Sequence, residues 1–542
     1  MDLFRSNLLI VSQKFLDIRP GMQRITLLVL PLLYLFSALW FSAHNAPWGR
    51  NVDPEYAYAM NSLTWAAGGA FHKADHPGTT TLLLGGLVIK ALAPRESVLE
   101  YGAKNLEHII YLARTVEISF LTFVLVIGGA IVMRCSRLSL ALIFQTTPFI
   151  NFELFRHSTL LEPEGFLIPF TMLGTAIVLS AALAKRPTVR SGVALGVTFA
   201  LAISSKVLAA PLALIGFPPF LKSPLALLAC ILATALSFWG FNKIFNPPVF
   251  ADGVTWLLFL LNHKGRYGSG EPGFIDWPSV IPNILLIIEA APQIFAVFVL
   301  GVFISAYRMI TRRDYFDRVS LTLIAFSASM AVLMAATAKH FGAHYMIASW
   351  STFTGATALL IIEIERISPS LGRCATIGAA AVCLASVAMT AIEIKNDIPQ
   401  QESRNAAGAD ISRLIAERAP YCAKVSGMFL QDPDNAVGFG VQNALATAWE
   451  FKAFVDAYKR VFPEPMFEQG YYVPGLHKYF RPYSYRTLSQ EYPCIVVRNL
   501  VPLTPQQEPE LFALQPEICK IGEQNVYAVG ISCATIVGTI SR

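Results

Sequence analysis

The sequence predicts an all-α polytopic membrane bundle of about eleven transmembrane helices, followed by a small α+β soluble domain. Three observations lead there. The 542 residues are 54% hydrophobic and 14% charged, with mean hydropathy +0.51, too little charge for a soluble chain of this size. Apolar runs near bilayer-spanning length recur as far as about residue 395. Beyond that point the composition is that of a soluble domain. The division is therefore 1–395, membrane-embedded, and 396–542, extracytoplasmic. The net charge of +6, from 42 basic and 36 acidic residues, is spread over many loops and does not point to nucleic acid.

The first run, near 25–41, follows Arg5, Lys14, Arg19 and Arg24. No small-residue cleavage signal follows it, so it is read as a retained helix. Further runs stand at about 109–133, 138–150, 165–184, 189–207, 209–221, 224–242, 280–303, 318–337, 344–363 and 374–394. Thr79 to Ala93 is apolar but short of the roughly 20 residues a crossing needs. Charge decides its place. The basic loops are the N-terminus, Arg134/Arg137, Lys185/Arg186/Arg190, Arg308/Arg312/Arg313/Arg318 and Arg366/Arg373. All face the cytoplasm by the positive-inside rule. An even number of crossings must then precede Lys185, so Thr79–Ala93 is read as a helix dipping into the outer leaflet.

This parity makes 43–108 the first outer loop. Asp53-Pro54 is a good N-cap followed by a good first helical residue, predicting a juxtamembrane helix to about Ala67, stopped by Gly68 and Gly69. His72, Lys73, Asp75, His76, Pro77 and Gly78 form a second polar knot. The plainer alternative, a cap and a turn only, is about as well supported locally. The other outer segments carry ionisable residues too. Segment 151–164 holds Arg156, His157, Glu162 and Glu164. Lys206 ends an apolar helix. Segment 243–279 holds His263, Lys264 and Arg266, and 338–344 holds Lys339, His340 and His344, with Tyr345 next. One such residue is usually an interfacial anchor. Five segments each carrying one favour a shared site.

In 396–542, Ala406–Arg418 and Val441–Phe462 are predicted helical, and Cys494–Val497 and Val526–Ile531 extended. Cys422, Cys494, Cys519 and Cys533 are able to form disulfides in an oxidising compartment. Cys135, Cys230, Cys374 and Cys383 lie in or beside apolar runs as packing residues.

A transferase working on the outer face has no cytosolic nucleotide-sugar supply, and a sugar on a polyprenyl-phosphate carrier fits that position. Breaking the sugar–phosphate bond develops charge on the leaving phosphate, which calls for clustered cations. Lys206, Arg266, Lys339, His340 and His76 are the candidates. The acceptor hydroxyl needs a base; Asp53 is the first choice and Glu55 the second. The carboxylates of Asp53 and Glu55 and the imidazole of His76 suit a divalent metal without demanding one. No GxGxxG, GxxxxGK[ST], GxSxG or HExxH occurs, which speaks against a nucleotide site, a serine hydrolase and a zincin.

Asp53, Glu55 and Tyr56 after the first span, His76-Pro77, an acidic second outer loop, and Lys339 with Tyr345 six positions on follow one order along the chain. That order resembles the GT-C glycosyltransferases, in particular protein O-mannosyltransferases and lipid A aminoarabinose transferases, over about residues 20–370. His76 stands where the latter have a lysine. The resemblance implies a GT-C-like bundle, an inverting transfer, Asp53 as base or acceptor-orienting group, and Lys339 and Tyr345 on the carrier phosphate. The expected partners are a polyprenyl-phosphate-linked sugar, membrane lipids, and a glycan, lipid or protein acceptor. The expected location is a bacterial inner membrane, with the site facing the periplasm. The competing readings are a transporter or lipid flippase, whose charges would lie near mid-membrane and whose halves would repeat, and a sensor protein acting through its C-terminal domain.

Overall fold

The computed structural model describes residues 20–48, 55–71, 77–94, 97–264, 271–273, 276–339, 342–427, 430, 436–438, 440–441, 448–470 and 475–537. In chain order the helices are α1 (Pro20–His44), α2 (Glu55–Ala66), α3 (Thr79–Leu92), α4 (Val98–Cys135), α5 (Leu138–Gln145), α6 (Phe152–His157), α7 (Pro163–Leu183), α8 (Val189–Ser205), α9 (Pro224–Phe245), α10 (Asp252–Asn262), α11 (Trp277–Ala290), α12 (Pro292–Arg312), α13 (Arg318–Lys339), α14 (Phe353–Ile367) and α15 (Pro369–Arg418). Many start on proline, whose fixed φ and missing N–H suit a first helical position.

Among the described residues seven helices are long and apolar enough to cross a membrane: α1, α4, α7, α9, α12, α13 and α15. An eighth follows if Ala343–Trp350 and α14, bent by 44°, act as one span. The expected eleven is therefore too many on this criterion, and proline is the main reason. The run 280–303 also breaks, where Ala291 leaves the helical region (φ −155°, ψ 63°) before Pro292, since a residue preceding proline avoids that region, but it still supplies one crossing, α12. Pro211, Pro218 and Pro219 cut 209–221 into short pieces. Pro148 stands in the 3-10 turn that follows the eight-residue α5. α8 reaches only 17 residues; α3, which was not among the expected crossings, has 14. The first-loop helix forms as expected, Glu55–Ala66, with Gly68 beyond its end at φ 97°.

One large apolar core joins α1, α4, α5, α7, α8 and α12–α15. α15 is a single helix of 50 residues, about 75 Å at 1.5 Å per residue, and it runs through the expected domain boundary at 395/396. Beyond it lie β1 (Ala423–Gly427), α16 (Ala448–Val461), β2 (Phe467–Gly470), β3 (Gly475–Lys478), β4 (Arg481–Pro482), α17 (Tyr485–Glu491), β5 (Ile495–Asn499), α18 (Pro509–Ala513), β6 (Glu517–Ile521), β7 (Gln524–Val529) and α19 (Cys533–Val537). The strands form one mixed sheet in the order β4-β3-β2-β1-β5-β7-β6. β1 runs parallel to β2 and β5, and the other pairs are antiparallel. Small apolar cores flank the sheet, and β5 is buried along its whole length. Cys422–Cys494 ties the starts of β1 and β5, and Cys519–Cys533 ties β6 to α19.

A second core fastens this domain to the first outer loop. Phe454, Tyr458 and Phe480 pack with Tyr56, Leu63, Leu106 and Ile109, and Arg460 pairs with Glu100 at 2.5 Å. The soluble domain thus sits on the helices that open the candidate site.

Candidate active site

The two sets of loops sort to opposite ends of the bundle. At one end Arg137 pairs with Glu365 at 2.6 Å, and Arg318 donates to the Ala184 carbonyl at 2.5 Å. Arg308 and Arg366 converge on Glu363 at 3.0 and 2.9 Å. These are the basic loops. The acidic and histidine-bearing segments meet at the other end.

There α2 begins with a buried glutamate. Arg114 of α4 grips Glu55 with two nitrogens, Nε donating to Oε1 at 2.7 Å and Nη2 to Oε2. Its Nη1 donates to the Asn45 carbonyl at 2.7 Å, and the Leu161 N–H donates to Glu55 Oε1 at 2.7 Å. One ion pair so joins the end of α1, α2, α4 and the second outer loop. Burial of both charges is tolerable because each is multiply bonded. Glu117, three residues on, is also buried. The Thr81 hydroxyl lies 3.5 Å from its Oε1 and donates to the Glu162 carbonyl at 3.0 Å. Glu117 Oε2 has no hydrogen-bond partner among the described residues.

The second outer loop supplies the next group. Asn151 caps α6, its side chain accepting from the Leu154 N–H at 2.7 Å. α6 ends at His157, whose Nδ1 is bonded to Glu162. Glu162 and Glu164 flank Pro163 at the start of α7, and Glu164 receives a hydrogen bond from the Lys206 ammonium. Lys206 caps the C-terminus of α8 and stands 5.0 Å from the Tyr345 ring. The Tyr345 ring lies 4.1 Å from that of His344, tilted by 52°, and the His344 ring lies 5.7 Å from that of His157. The circuit Glu162–His157–His344–Tyr345–Lys206–Glu164 is closed, and its members come from three distant parts of the chain.

The turn after His76 is pinned to the same place. Gly78 (φ 56°) donates its N–H to Ser205 O at 3.0 Å. Asn246 donates to Pro77 O at 3.0 Å, and Thr79 donates to Asn242 at 2.7 Å. The residue after His76 and the residue before Lys206 are therefore tied to one network.

Of the residues expected to form the site, Glu55, Lys206 and Tyr345 meet around the second outer loop. Lys339 ends α13, and its ammonium donates to the Leu261 carbonyl of α10 at 3.3 Å. Asp53, His76, Arg266 and His340 lie outside the described residues. Among the described residues no three His, Cys, Asp or Glu side chains form a group able to hold a metal ion. Arg114 and Glu117 were passed over although a signal existed. They stand three apart in EHIIYLARTVEISF, one face of an otherwise apolar helix.

No protein-family model matches the chain, and no curated protein matches it in sequence. Solved structures do resemble it. ArnT from Cupriavidus metallidurans bound to undecaprenyl phosphate matches with TM-score 0.46 and 13% identity, over 93% of this chain and 98% of that one. The same protein in the apo state gives 0.47 and 15%, over 92% and 98%. The apo oligosaccharyltransferase of Archaeoglobus fulgidus gives 0.38 and 13%, over 79% of this chain and 63% of that one.

Proposed function

We propose that this chain is a membrane-embedded glycosyltransferase that moves a sugar from a polyprenyl-phosphate carrier to an acceptor hydroxyl, with inversion, on the outer face of the membrane. The observation that carries the reading is the closed circuit around Lys206 and Tyr345. It lies at the ends of apolar helices, a position that suits a lipid phosphate whose tail runs between them. The outward orientation rests on the basic loops gathered at the opposite end, and the two disulfides of the soluble domain suit an oxidising compartment.

In the reaction the acceptor oxygen attacks the anomeric carbon and the bond from that carbon to the phosphate oxygen breaks. Its electron pair leaves on the carrier phosphate, and the acceptor proton passes to a base. Lys206 and the Tyr345 hydroxyl, with Arg266, hold the phosphate as its charge grows. Lys206 shares its ammonium between Glu164 and the donor. Asp53 takes the proton. Both oxygens of Glu55 are engaged by Arg114 and Leu161, so its part is to fix the start of α2, just after Asp53-Pro54. Lys339, at the end of α13, serves the donor together with His340 and His76. The acceptor is a glycan, lipid or protein hydroxyl.

The test follows label from a polyprenyl-phosphate-linked sugar into acceptors in membranes carrying the protein. Asp53→Asn should abolish transfer at unchanged protein level, and Lys206→Met should lower it by about 100-fold or more. Full activity in Asp53→Asn removes the base, and full activity in Lys206→Met removes the phosphate site.

A further inference from the structure

His157 has no part in the chemistry above, yet it is built into the site more fully than a packing histidine requires. It is 7% exposed. Its Nδ1–H donates to Glu162 Oε1, and its Nε2 stands 3.3 Å from Glu153 Oε2. Arg156 approaches the same Nε2 at 3.1 Å and is itself paired with Glu153 at 2.6 Å. On its open side the ring faces His344, which leads through Tyr345 to Lys206. A carboxylate therefore stands at each ring nitrogen, and an aromatic pair connects the ring to the cation of the phosphate site.

We propose that His157 is a positioning residue of the transfer reaction. As an imidazolium between Glu153 and Glu162 it cancels the Glu162 charge that would repel the donor phosphate, and it seats the His344–Tyr345 pair against Lys206. This rests on the transferase reading. With a neutral ring, two carboxylates, Glu162 and Glu164, face one ammonium, and an incoming phosphodiester meets excess negative charge. With the ring protonated the circuit is balanced before the donor arrives.

The electrostatics agree. Burial and the Arg156 charge would lower the ring's pKa; the Glu162 charge and the hydrogen bonds to Glu153 and Glu162 outweigh them and hold it at about 9. Burial raises the Glu162 carboxyl, and His157 opposes that rise. The charged and titratable groups around the ring are Glu153 and Arg156 on α6, Glu162 before α7, Glu164 at its start, and His344. Glu393 of α15 acts on Glu153 from behind.

The experiment is the pH dependence of transfer, with donor concentration varied, over about pH 6 to 10. In the wild type, kcat/KM for the donor should fall as the pH rises through about 9. His157→Gln should lose that alkaline limb and raise the donor KM by about tenfold, with a smaller change in kcat. Glu153→Gln, an isosteric change at a side chain one third exposed, should move the limb down by about one pH unit. A His157→Gln profile parallel to the wild type at unchanged KM overturns the proposal, and so does a Glu153→Gln limb that stays in place. A wild type that transfers no sugar at any pH overturns the transferase reading and this inference with it; an active wild type with unmoved limbs sinks His157 alone.

Discussion

Arg114 and Glu55 show how much one buried pair organises. Both are almost inaccessible, and between them they bind Asn45 and Leu161, on either side of the first outer loop. Desolvating two charges is costly, so the pair is a poor source of net stability. Breaking it by removing one partner is worse, because the other charge is left buried. Arg114→Met should therefore destabilise the protein by about 3–5 kcal/mol, and adding Glu55→Met should recover part of that loss. Thermal unfolding in detergent measures both. A double variant less stable than Arg114→Met alone would mean that Glu55 is held by something other than its charge partner. Nearby, Gly165 packs on Glu117, and a Cβ there would come within 2.5 Å of Oε2. That packing leaves the Glu117 carboxyl little room to move.

Between elements, α8 approaches the backbone of α9 closely. Gly192 and Gly196 stand four apart on α8, and a Cβ on either would collide with α9 backbone at Ala226 and Cys230. Small residues at that spacing let membrane helices approach closely. The consequence reaches the site, because α8 ends at Lys206. Gly196→Leu should push α8 off α9, shift the ammonium relative to Glu164 and Tyr345, and lower transfer by about tenfold or more, since misplacement of about 1 Å is enough. Unchanged activity in that variant would separate the α8–α9 contact from the chemistry. The physical range of each signal decides what could be read from the chain beforehand. The first-loop helix, expected from Pro54 to about Ala67, its glycine stop and the extended segments expected at Cys494–Val497 and Val526–Ile531 were legible because helix propensity, φ freedom and runs of β-branched residues act within a few residues. The crossing count was not, because an apolar run looks the same to a hydropathy sum whether or not Pro211, Pro218 and Pro219 cut it into short pieces. The Arg114–Glu55 pair was missed because its partners lie 59 positions apart, and His157, noted in the second outer loop, was given no role because a histidine near a membrane surface usually needs no special partner.

At the scale of the molecule the question is which end faces which compartment. The pairs Arg137–Glu365, Arg308–Glu363 and Arg366–Glu363 close one end, and the Lys206 circuit and the soluble domain share the other, joined by the core around Phe454 and Tyr458. Both disulfides lie in that domain, and the four free cysteines, Cys135, Cys230, Cys374 and Cys383, lie in or beside the membrane-embedded part. Of these Cys374 is exposed. A Cys374→Ser background is therefore suited to single reporters. Val501 is exposed on the loop after β5, and Tyr315 on the turn between α12 and α13. If the basic end is cytoplasmic, Val501→Cys should react with a membrane-impermeant maleimide in intact cells, while Tyr315→Cys should react only after permeabilisation. Gel shift of the purified protein reads both. The reverse pattern would turn the Lys206 circuit toward the cytosol, where nucleotide sugars are at hand and a lipid-carried donor would no longer be required.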